Sequence, residues 1–572
     1  MFLPLVAIWI WEKPSSLAIF REKHSAVTAN DSFSSDTSPV DLEELNLLAT
    51  GRFPPLVEAF LKGDNLDLLA PVRFLGPEAQ PAGDCQVVPP DRRELARALG
   101  EANSQYGHTE AGELAAQLAD PSTRVVITGQ QPGLFGGPLY TLSKAVAAQL
   151  WAERLRAAGE QAMALFWMAT EDHDFRESSR ASFFTTEGVT AVDLGEDAEP
   201  LVPVGSRVLG PEVKRVLAEL HQTMPGDRYG EWLTTLGEWY APEVRFGEAF
   251  ARFMVHILGE RCPLIVDAML PALKSAQKPW MRRIVEQRFD LTTAFEDRDR
   301  QIIGKGFPLQ VRPQPGASPL FLERDGQRRR IEWRGATGFR LRGDDGFNGE
   351  VEGLLEILEE EPQRVSPGVR ARSAIQDAAF GTCLQILGPG ELSYLPQAAP
   401  LFGLLEISAP MVALRPQILV LDERQRMNVR GSGIGIERLL DPSFDLDAWL
   451  APPEDTDFIG SAEGQLETLI DSLREPSVAL DSNLDRPWQK TGDQMRRALQ
   501  AYGAKVTAAA SRRDETARAR LEALRSSCLP TGKPQERVLA SAHFPGKYGD
   551  SFVEAMFQQM GLEPTKMHIV TP

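Results

Sequence analysis

Apolar and polar positions follow one another along this chain in two rhythms, short unbroken apolar runs and longer stretches with a helical period. Arg124-Val-Val-Ile-Thr128 is a β-branched run that predicts a buried strand. It ends in Gly129-Gln-Gln-Pro-Gly-Leu-Phe-Gly-Gly-Pro138, too rich in Gly and Pro for regular structure. Leu139 to Ala158 then carries helical periodicity, and Pro138 suits a first-turn position. A second apolar run, Ala164-Leu-Phe-Trp-Met-Ala169, breaks abruptly into Thr170-Glu-Asp-His-Asp174. Strand, loop, helix and strand in that order predict a right-handed, parallel βαβ unit. Pro263-Leu-Ile-Val-Asp267 reads as a further strand of the same sheet, leading into a helix from about Ala272 to Arg288. In open α/β sheets ligands sit outside the carboxyl ends of the strands. The Gly-rich loop and the Glu171–Asp174 cluster both fall at such ends, which marks the pair as an active-site candidate.

Around this unit the pattern predicts helices over about Pro54–Leu61 and Arg92–Leu118. Residues 180–260 read as an insertion with a short β region followed by helices. Residues 305–345 read as a β-rich insertion, with an Asp325-Gly326 hairpin turn between Leu320–Arg324 and Gln327–Trp333. A helix over about Arg372–Gln385 runs into Leu387-Gly388-Pro389-Gly390-Glu391, and a helical segment Leu392–Leu405 follows, kinked or interrupted by Pro396 and Pro400. The core so predicted spans residues 46–452. Beyond Pro452-Pro453, Ile459, Ala462, Leu466, Leu469 and Leu473 recur at spacings of three and four. So do Met495, Leu499, Tyr502, Val506 and Ala509, and later Ala517, Leu521, Leu524 and Cys528. These spacings suit an antiparallel coiled-coil hairpin over 453–529, with a phase slip between Ala509 and Ala517. A non-helical tail over 530–572, packing on the core, ends the chain. Residues 1–45 hold an apolar run, Phe2–Trp11, with no basic residue before it, and a Ser/Thr/Asp-rich stretch; they read as a poorly ordered extension and not as targeting.

Composition sharpens this picture in three places. With 572 residues, 42% of them hydrophobic and 25% charged, the chain is an ordinary globular protein. At about 150 residues per domain it holds two to four domains, and no apolar stretch of about 18 residues offers a membrane span. The balance of 61 basic against 80 acidic residues leaves a net charge of −19. That excludes a global attraction to nucleic acid or anionic lipid. The one dense basic run, Arg328-Arg329-Arg330, reads as a solvated hairpin tip. Cys85, Cys262, Cys383 and Cys528 show no short spacing, so neither a disulfide framework nor a CxxC site is expected, and the expected compartment is the reducing cytoplasm.

The residue types at the strand ends leave several chemistries open. The Gly129–Pro138 loop is neither a Walker loop nor GxGxxG. It is either an anion cradle, using glycine backbone and the free amides of the helix that follows, or a βα turn that needs positive φ. Glu171-Asp172-His173-Asp174 offers metal ligation, a general base, a hydrogen-bond clamp on an amine or ribose, or a plain acidic loop. Consecutive residues cannot all face one ion, so no metal is assigned. Gly388-Pro389-Gly390-Glu391, with Tyr394 and Gln397, is either a second nucleotide or anion pocket or a rigid corner.

Taken together, Thr128-Gly-Gln-Gln-Pro-Gly-Leu-Phe-Gly-Gly-Pro-Leu-Tyr-Thr-Leu-Ser-Lys144, Phe166-Trp-Met-Ala-Thr-Glu-Asp-His-Asp-Phe175, Gly388-Pro-Gly-Glu-Leu-Ser-Tyr394 and Pro530-Thr-Gly-Lys-Pro-Gln-Glu-Arg537 resemble the bacillithiol biosynthesis cysteine-adding enzymes. The resemblance covers roughly residues 46–572. It implies a Rossmann-like core of the HUP and class I synthetase kind, with connective-peptide-like insertions and a C-terminal coiled coil that dimerises. The implied reaction joins the carboxyl group of cysteine to the amine of glucosaminyl malate at the expense of ATP, with Mg accompanying the nucleotide. On that expectation His173, Asp172, Asp174 and Lys144 are the catalytic candidates. Thr128, Gly129, Gln130, Gln131, Gly137, Tyr140 and Glu171 are the substrate-binding candidates, and Gly388, Pro389, Gly390, Glu391, Tyr394 and Arg537 the nucleotide-binding ones. The HIGH and KMSKS strings of class I synthetases are absent, Gly137-Pro-Leu-Tyr140 standing roughly where the first would fall. A thiol-liganding zinc set is absent too. The rival readings are a nucleotidyl- or phosphoryl-transferase on another amino sugar or amino acid, and a non-catalytic dimeric nucleotide- or thiol-binding protein.

Overall fold

A computed structural model describes residues 45–76, 87, 90–224, 226–432, 434–450, 453–511 and 515–572. The extension expected over 1–45 lies almost wholly outside the described residues. The chain divides into two units, residues 1–422 with 535–572, and residues 423–534.

The first unit is built on a six-stranded, all-parallel sheet of β1 (Arg73–Phe74), β2 (Arg124–Gln130), β3 (Ala162–Met168), β4 (Leu264–Asp267), β5 (Thr382–Leu387) and β6 (Met411–Leu414). Their spatial order is β1-β6-β5-β2-β3-β4. From β2 the chain winds outward through β3 to β4. It then returns across the sheet to lay β5 on the other side of β2. The order therefore reverses between β2 and β5, and a doubly wound sheet opens a ligand crevice at such a switch point. Alternate residues of the central strands feed two apolar layers. Val126, Ala164 and Phe166 pack with the helix Tyr140–Ala157 on one face. Val125, Ile127, Leu165 and Trp167 pack with Leu95, Leu99 and Leu118 on the other. Strands buried on both faces explain the unbroken apolar runs in the sequence.

Several expectations change. The helix expected over Arg372–Gln385 ends at Phe380; Gly381, at φ 58, stops it in the left-handed region, and β5 begins at Thr382. A fully buried run of six residues cannot be told from a buried helix by its period. The helix expected over 92–118 is two, Arg93–Gln105 and Ala111–Ala119, parted at Gly107. Of the two prolines in 392–405, Pro396 is carried inside the helix Pro389–Ala398, whereas Pro400 opens a new short helix. The tail is not without helices: His543–Tyr548 and Ser551–Gln559 are helical, and Met567–Val570 pairs in parallel with Gln417–Val420. Cys262 and Cys528 are buried free thiols, but Cys383 is disulfide-bonded.

The β-rich insertion is a five-stranded antiparallel sheet whose hairpin, Ala317–Arg324 with Gln327–Arg334, turns at Asp325 (φ 53) and Gly326 (φ 74). Both central residues have positive φ, as a two-residue hairpin requires.

The second unit carries the helical hairpin. Pro453–Leu480 and Asp485–Ser511 pack against each other through the short connection Ser482–Leu484. Gly492 and Gly503 allow a close approach, since a Cβ there would stand 3.1 Å from Ile470 and Ile459 respectively. The expected phase slip coincides with the end of one helix at Ser511 and the start of the next, Glu515–Cys528. No helix among the described residues is long and apolar enough to cross a membrane.

Candidate active site

The crevice between β2 and β5 is bridged by one side chain. Lys144 lies on α1 (Tyr140–Ala157), the helix that follows β2. Its ammonium donates to the Gly129 carbonyl at 2.7 Å and to Gln130 Oε1 at 3.1 Å, and pairs with the Glu391 carboxylate. Glu391 is the third residue of the helix that follows β5, Pro389–Ala398, and also accepts the Gly388 N–H at 2.7 Å. Burial lowers the Lys144 pKa and Glu391 opposes it. The TGQQ and GPGE motifs, assigned separately from sequence, thus share one pocket.

Around this bridge stands a ring of cations. Arg415 is buried, sits over the Tyr140 ring at 5.3 Å and makes a two-pronged pair with Glu536 at 2.8 and 2.6 Å. Glu536 and Gln535 clamp the C-terminal segment to the strand Gln417–Val420 through the Ile418 and Val420 backbone. That clamp brings the exposed Arg537 into electrostatic range of Tyr140 and Arg415. Arg372 donates to the Tyr394 hydroxyl at 3.1 Å and interacts with Glu391 and Asp172. Lys144 and Arg415 are matched by Glu391 and Glu536, which leaves Arg372 and Arg537 as the cations suited to an anionic ligand.

The four residues after Thr170 part company. Glu171 is buried and ion-paired to the buried Lys274, so it ties the loop to the helix Pro271–Glu286. Asp172 accepts the His173 backbone N–H at 2.7 Å. Asp174 caps a short helix, α2 (Phe175–Ser178), by accepting the Glu177 N–H at 3.1 Å, and burial raises its pKa. His173 packs near Phe321, and its Nδ1 lies 3.4 Å from an Arg328 amino group. Burial, and then the cations Arg328, Arg330 and Arg207, lower the His173 pKa. Gln131 ties the whole loop to the Gly-rich turn by donating to the Asp174 carbonyl and Ser178 Oγ, both at 3.0 Å.

The Gly-rich loop itself is mostly a packing solution. A Cβ on Gly129 would fall 2.7 Å from the Trp167 carbonyl oxygen. Gly136, at φ +84, has Phe253 where its Cβ would go. Thr128 Oγ1 donates to the Ile386 carbonyl at 2.9 Å, joining β2 to β5. The free helix-start amides expected near Pro138 are in use: Leu139 N–H bonds the Leu539 carbonyl and Thr141 N–H the Pro138 carbonyl. Gly137 and Phe135 carbonyls accept from Ser541 and Ala542. The open helix start is instead that of Pro389–Ala398, whose first-turn amides have no partner within the helix.

Arg372 and Arg415 were not singled out from the sequence, because their partners lie on distant segments, and two further residues were misread or passed over. The Arg328–Arg330 run does lie at the start of a hairpin strand, but Arg328 is buried and not at a solvated tip. Its guanidinium stacks on Phe321 at 3.9 Å and donates to Ser366 Oγ at 2.8 Å and the Pro367 carbonyl at 2.9 Å. Strand alternation turns Arg328 inward, and a hairpin read without its partners shows no such face. Glu177 is the second. It is exposed but within electrostatic range of Lys144, Arg372, Asp172 and Asp174, and partial desolvation with the two aspartates raises its pKa. Among the described residues no group of three or more His, Cys, Asp or Glu side chains is arranged to hold a metal ion.

Residues 81–416 match the family described as bacillithiol biosynthesis BshC, N-terminal Rossmann-like domain, and residues 419–572 match its C-terminal coiled-coil domain. Relatives named "Putative cysteine ligase BshC" occur in Solibacter usitatus (29% identical, covering 79% of this chain and 86% of the relative), Salinibacter ruber (27%, 84% and 89%) and Thermus thermophilus (30%, 74% and 84%).

Proposed function

Because the chain belongs to the bacillithiol biosynthesis BshC family, we propose that it is a cysteine ligase that forms a carbon–nitrogen bond in the making of bacillithiol. The carboxyl group of cysteine is activated by ATP and then captured by the amine of glucosaminyl malate, the last step of the synthesis. The observation that supports this reading best is the Lys144–Glu391 bridge, which joins the TGQQ and GPGE motifs at the switch point.

Activating a carboxylate at a nucleotide phosphate is mainly positioning and charge stabilisation. In this reading the first-turn amides at Gly390 and Glu391, with Arg537 and Arg415, hold the nucleotide phosphates, and Tyr394 orients Arg372 toward them. Lys144 and Gln130 stand beside the reacting carboxyl, and Tyr140 lines the same wall. Gln131, Gly137, Thr128 and Glu171 shape the loops and hold them in register. His173 or one of the carboxylates beside it takes the proton from the amine, since only the free amine is nucleophilic.

The hairpin of the second unit leaves Leu469, Leu473 and Tyr502 about half exposed on one apolar groove. Covering this groove with a second copy makes the protein a homodimer. The primary test of the activity is thiol profiling by mass spectrometry in the host with this gene deleted. Loss of bacillithiol with build-up of glucosaminyl malate is expected. Unchanged bacillithiol would overturn the reading.

A further inference from the structure

We infer that Arg330 and Arg342 form the subsite that holds the dicarboxylate arm of the amine substrate. The inference rests on the ligase reading above and gives a task to the basic run Arg328-Arg329-Arg330, which that reading leaves unused.

The first ground is a mismatch in the antiparallel sheet of the β-rich insertion. The register sets Glu332 opposite Arg340, and the two pair at 2.7 Å. Two residues back along the same strand, Arg330 stands opposite Arg342, whose N–H bonds the Arg330 carbonyl at 2.9 Å. Opposite charges across a strand pair stabilise it, and like charges directly opposite destabilise it. Both guanidiniums converge on one neutral acceptor, Gln314 Oε1, with Arg330 at 3.4 Å. Among the described residues neither has a carboxylate within 4 Å, since Glu332 on the same face is taken by Arg340. Arg330 is partly buried and Arg342 exposed, so a ligand can reach the pair from solvent.

The second ground is where the pair sits. Arg328 and Arg330 are alternate residues of one strand and share a face. The Phe321 ring carries the Arg328 guanidinium at 3.9 Å and that of Arg330 at 5.1 Å, and lies 6.1 Å from the His173 ring. Arg328 itself reaches His173 Nδ1 at 3.4 Å. From the other direction, Gln397 of the helix Pro389–Ala398 accepts the Val311 N–H at 2.8 Å and donates to the Val311 carbonyl at 2.9 Å. That holds the segment bearing Gln314. The pair is thus fastened both to the His173 loop and to the helix that follows β5.

The arrangement selects its ligand. A guanidinium fork matches a carboxylate with two parallel hydrogen bonds. Residues opposite each other on paired strands have Cβ atoms about 4.5–5.5 Å apart, a spacing that suits two carboxylates on a short carbon chain. In glucosaminyl malate the malyl arm is joined to the anomeric carbon and the amine stands on the next carbon. An arm seated on Arg330 and Arg342 therefore turns the amine back toward the His173 loop. Binding a part of the substrate that does not react orients the part that does.

The test uses the full chain with ATP and cysteine, and compares glucosaminyl malate with methyl glucosaminide, the same amine without the carboxylates. Arg330→Gln and Arg342→Gln are each expected to raise the KM for glucosaminyl malate about 10- to 100-fold, with the KM values for ATP and cysteine unchanged. The preference for glucosaminyl malate over methyl glucosaminide should shrink by the same factor. Because Arg342 is exposed, its variant reports even where Arg330→Gln fails to fold. Calorimetry with L-malate alone reads the subsite without turnover, and weaker binding is expected in both variants. A preference unchanged in Arg342→Gln, or malate that binds the wild type and both variants alike, would overturn the assignment. A wild type that makes no amide overturns the ligase reading instead, and weaker malate binding in the variants then still supports the dicarboxylate subsite.

Discussion

Lys144 and Glu391, 247 residues apart in sequence, form an ion pair across the point where the strand order of the central sheet reverses. The lysine side chain is 3% exposed and the glutamate 22%. Lys144 therefore depends on Glu391 for the charge it cannot surrender to water, whereas Glu391 keeps some solvent and the Gly388 N–H. Removing one partner of a buried pair leaves the other uncompensated, at a cost of about 3 to 5 kcal/mol when burial is complete. Glu391→Gln should cost somewhat less, about 2 to 3 kcal/mol, because Glu391 is partly wet and Lys144 keeps the Gly129 carbonyl. The double variant Lys144→Met with Glu391→Leu should regain part of this stability in a denaturant titration while staying inactive. A double variant as unstable as the sum of the singles would show that the pair is not coupled.

Glycines in the two loops should respond in opposite ways. Gly136→Ala puts a methyl into Phe253 at positive φ, so a drop of several degrees in the melting temperature is expected. Nothing lies within 4 Å of a Cβ on Gly390. Gly390→Ala should melt like the wild type yet raise the KM for nucleotide, if phosphate approaches that backbone. An unchanged KM would remove the phosphates from this helix start.

The C-terminal clamp makes a third case. Arg415 and Glu536 are both almost fully buried and joined by two hydrogen bonds. Glu536→Ala should cost about 3 to 5 kcal/mol and free the segment beside the Gly-rich loop. Limited proteolysis near Gln535 checks this directly; resistance equal to the wild type would count against the clamp.

A pH effect follows from Asp377, far from the crevice at the end of the helix before β5. Burial raises its pKa from 3.8 to about 8, with Thr382 and Gln376 pulling the other way. Between these values the folded chain holds a proton that the unfolded chain has released, so stability falls as pH rises. The slope from this group is up to about 1.4 kcal/mol per pH unit. Asp377→Asn has no such proton to hold. It should be more stable than the wild type at pH 8, with the gap closing toward pH 4. A gap independent of pH would refute this account.

The dimer proposal is checked on the hairpin. Leu469→Glu with Leu473→Glu places charges on side chains 48% and 47% exposed, so folding should survive. Sedimentation should then report a monomer where the wild type is a dimer.

Much of the site was legible because its chemistry is local. The β-branched run ending at Thr128 and the apolar run ending at Ala169 declare two parallel strands, and unusual residues at their ends mark a candidate site. The hairpin turn at Asp325-Gly326 was legible for the same reason, since positive φ at adjacent positions selects its residues. The strand Thr382–Leu387 was not. It is buried on both faces, and a run this short, with Thr382 and Gln385 among its apolar residues, has no period to separate it from helix.

By itself the sequence determined the strand–loop–helix unit, the coiled-coil period, the hairpin and the family, because each is written in residues close along the chain. Only the tertiary structure decided that β5 lies beside β2, and so that the two glycine motifs share one pocket through Lys144 and Glu391. It also turned Arg328 inward onto His173, brought Glu177 within electrostatic range of charges from two other segments, and closed the first helix start with the C-terminal chain. Sheet order and the pairing of buried charges depend on contacts between residues far apart in sequence. No local pattern carries them.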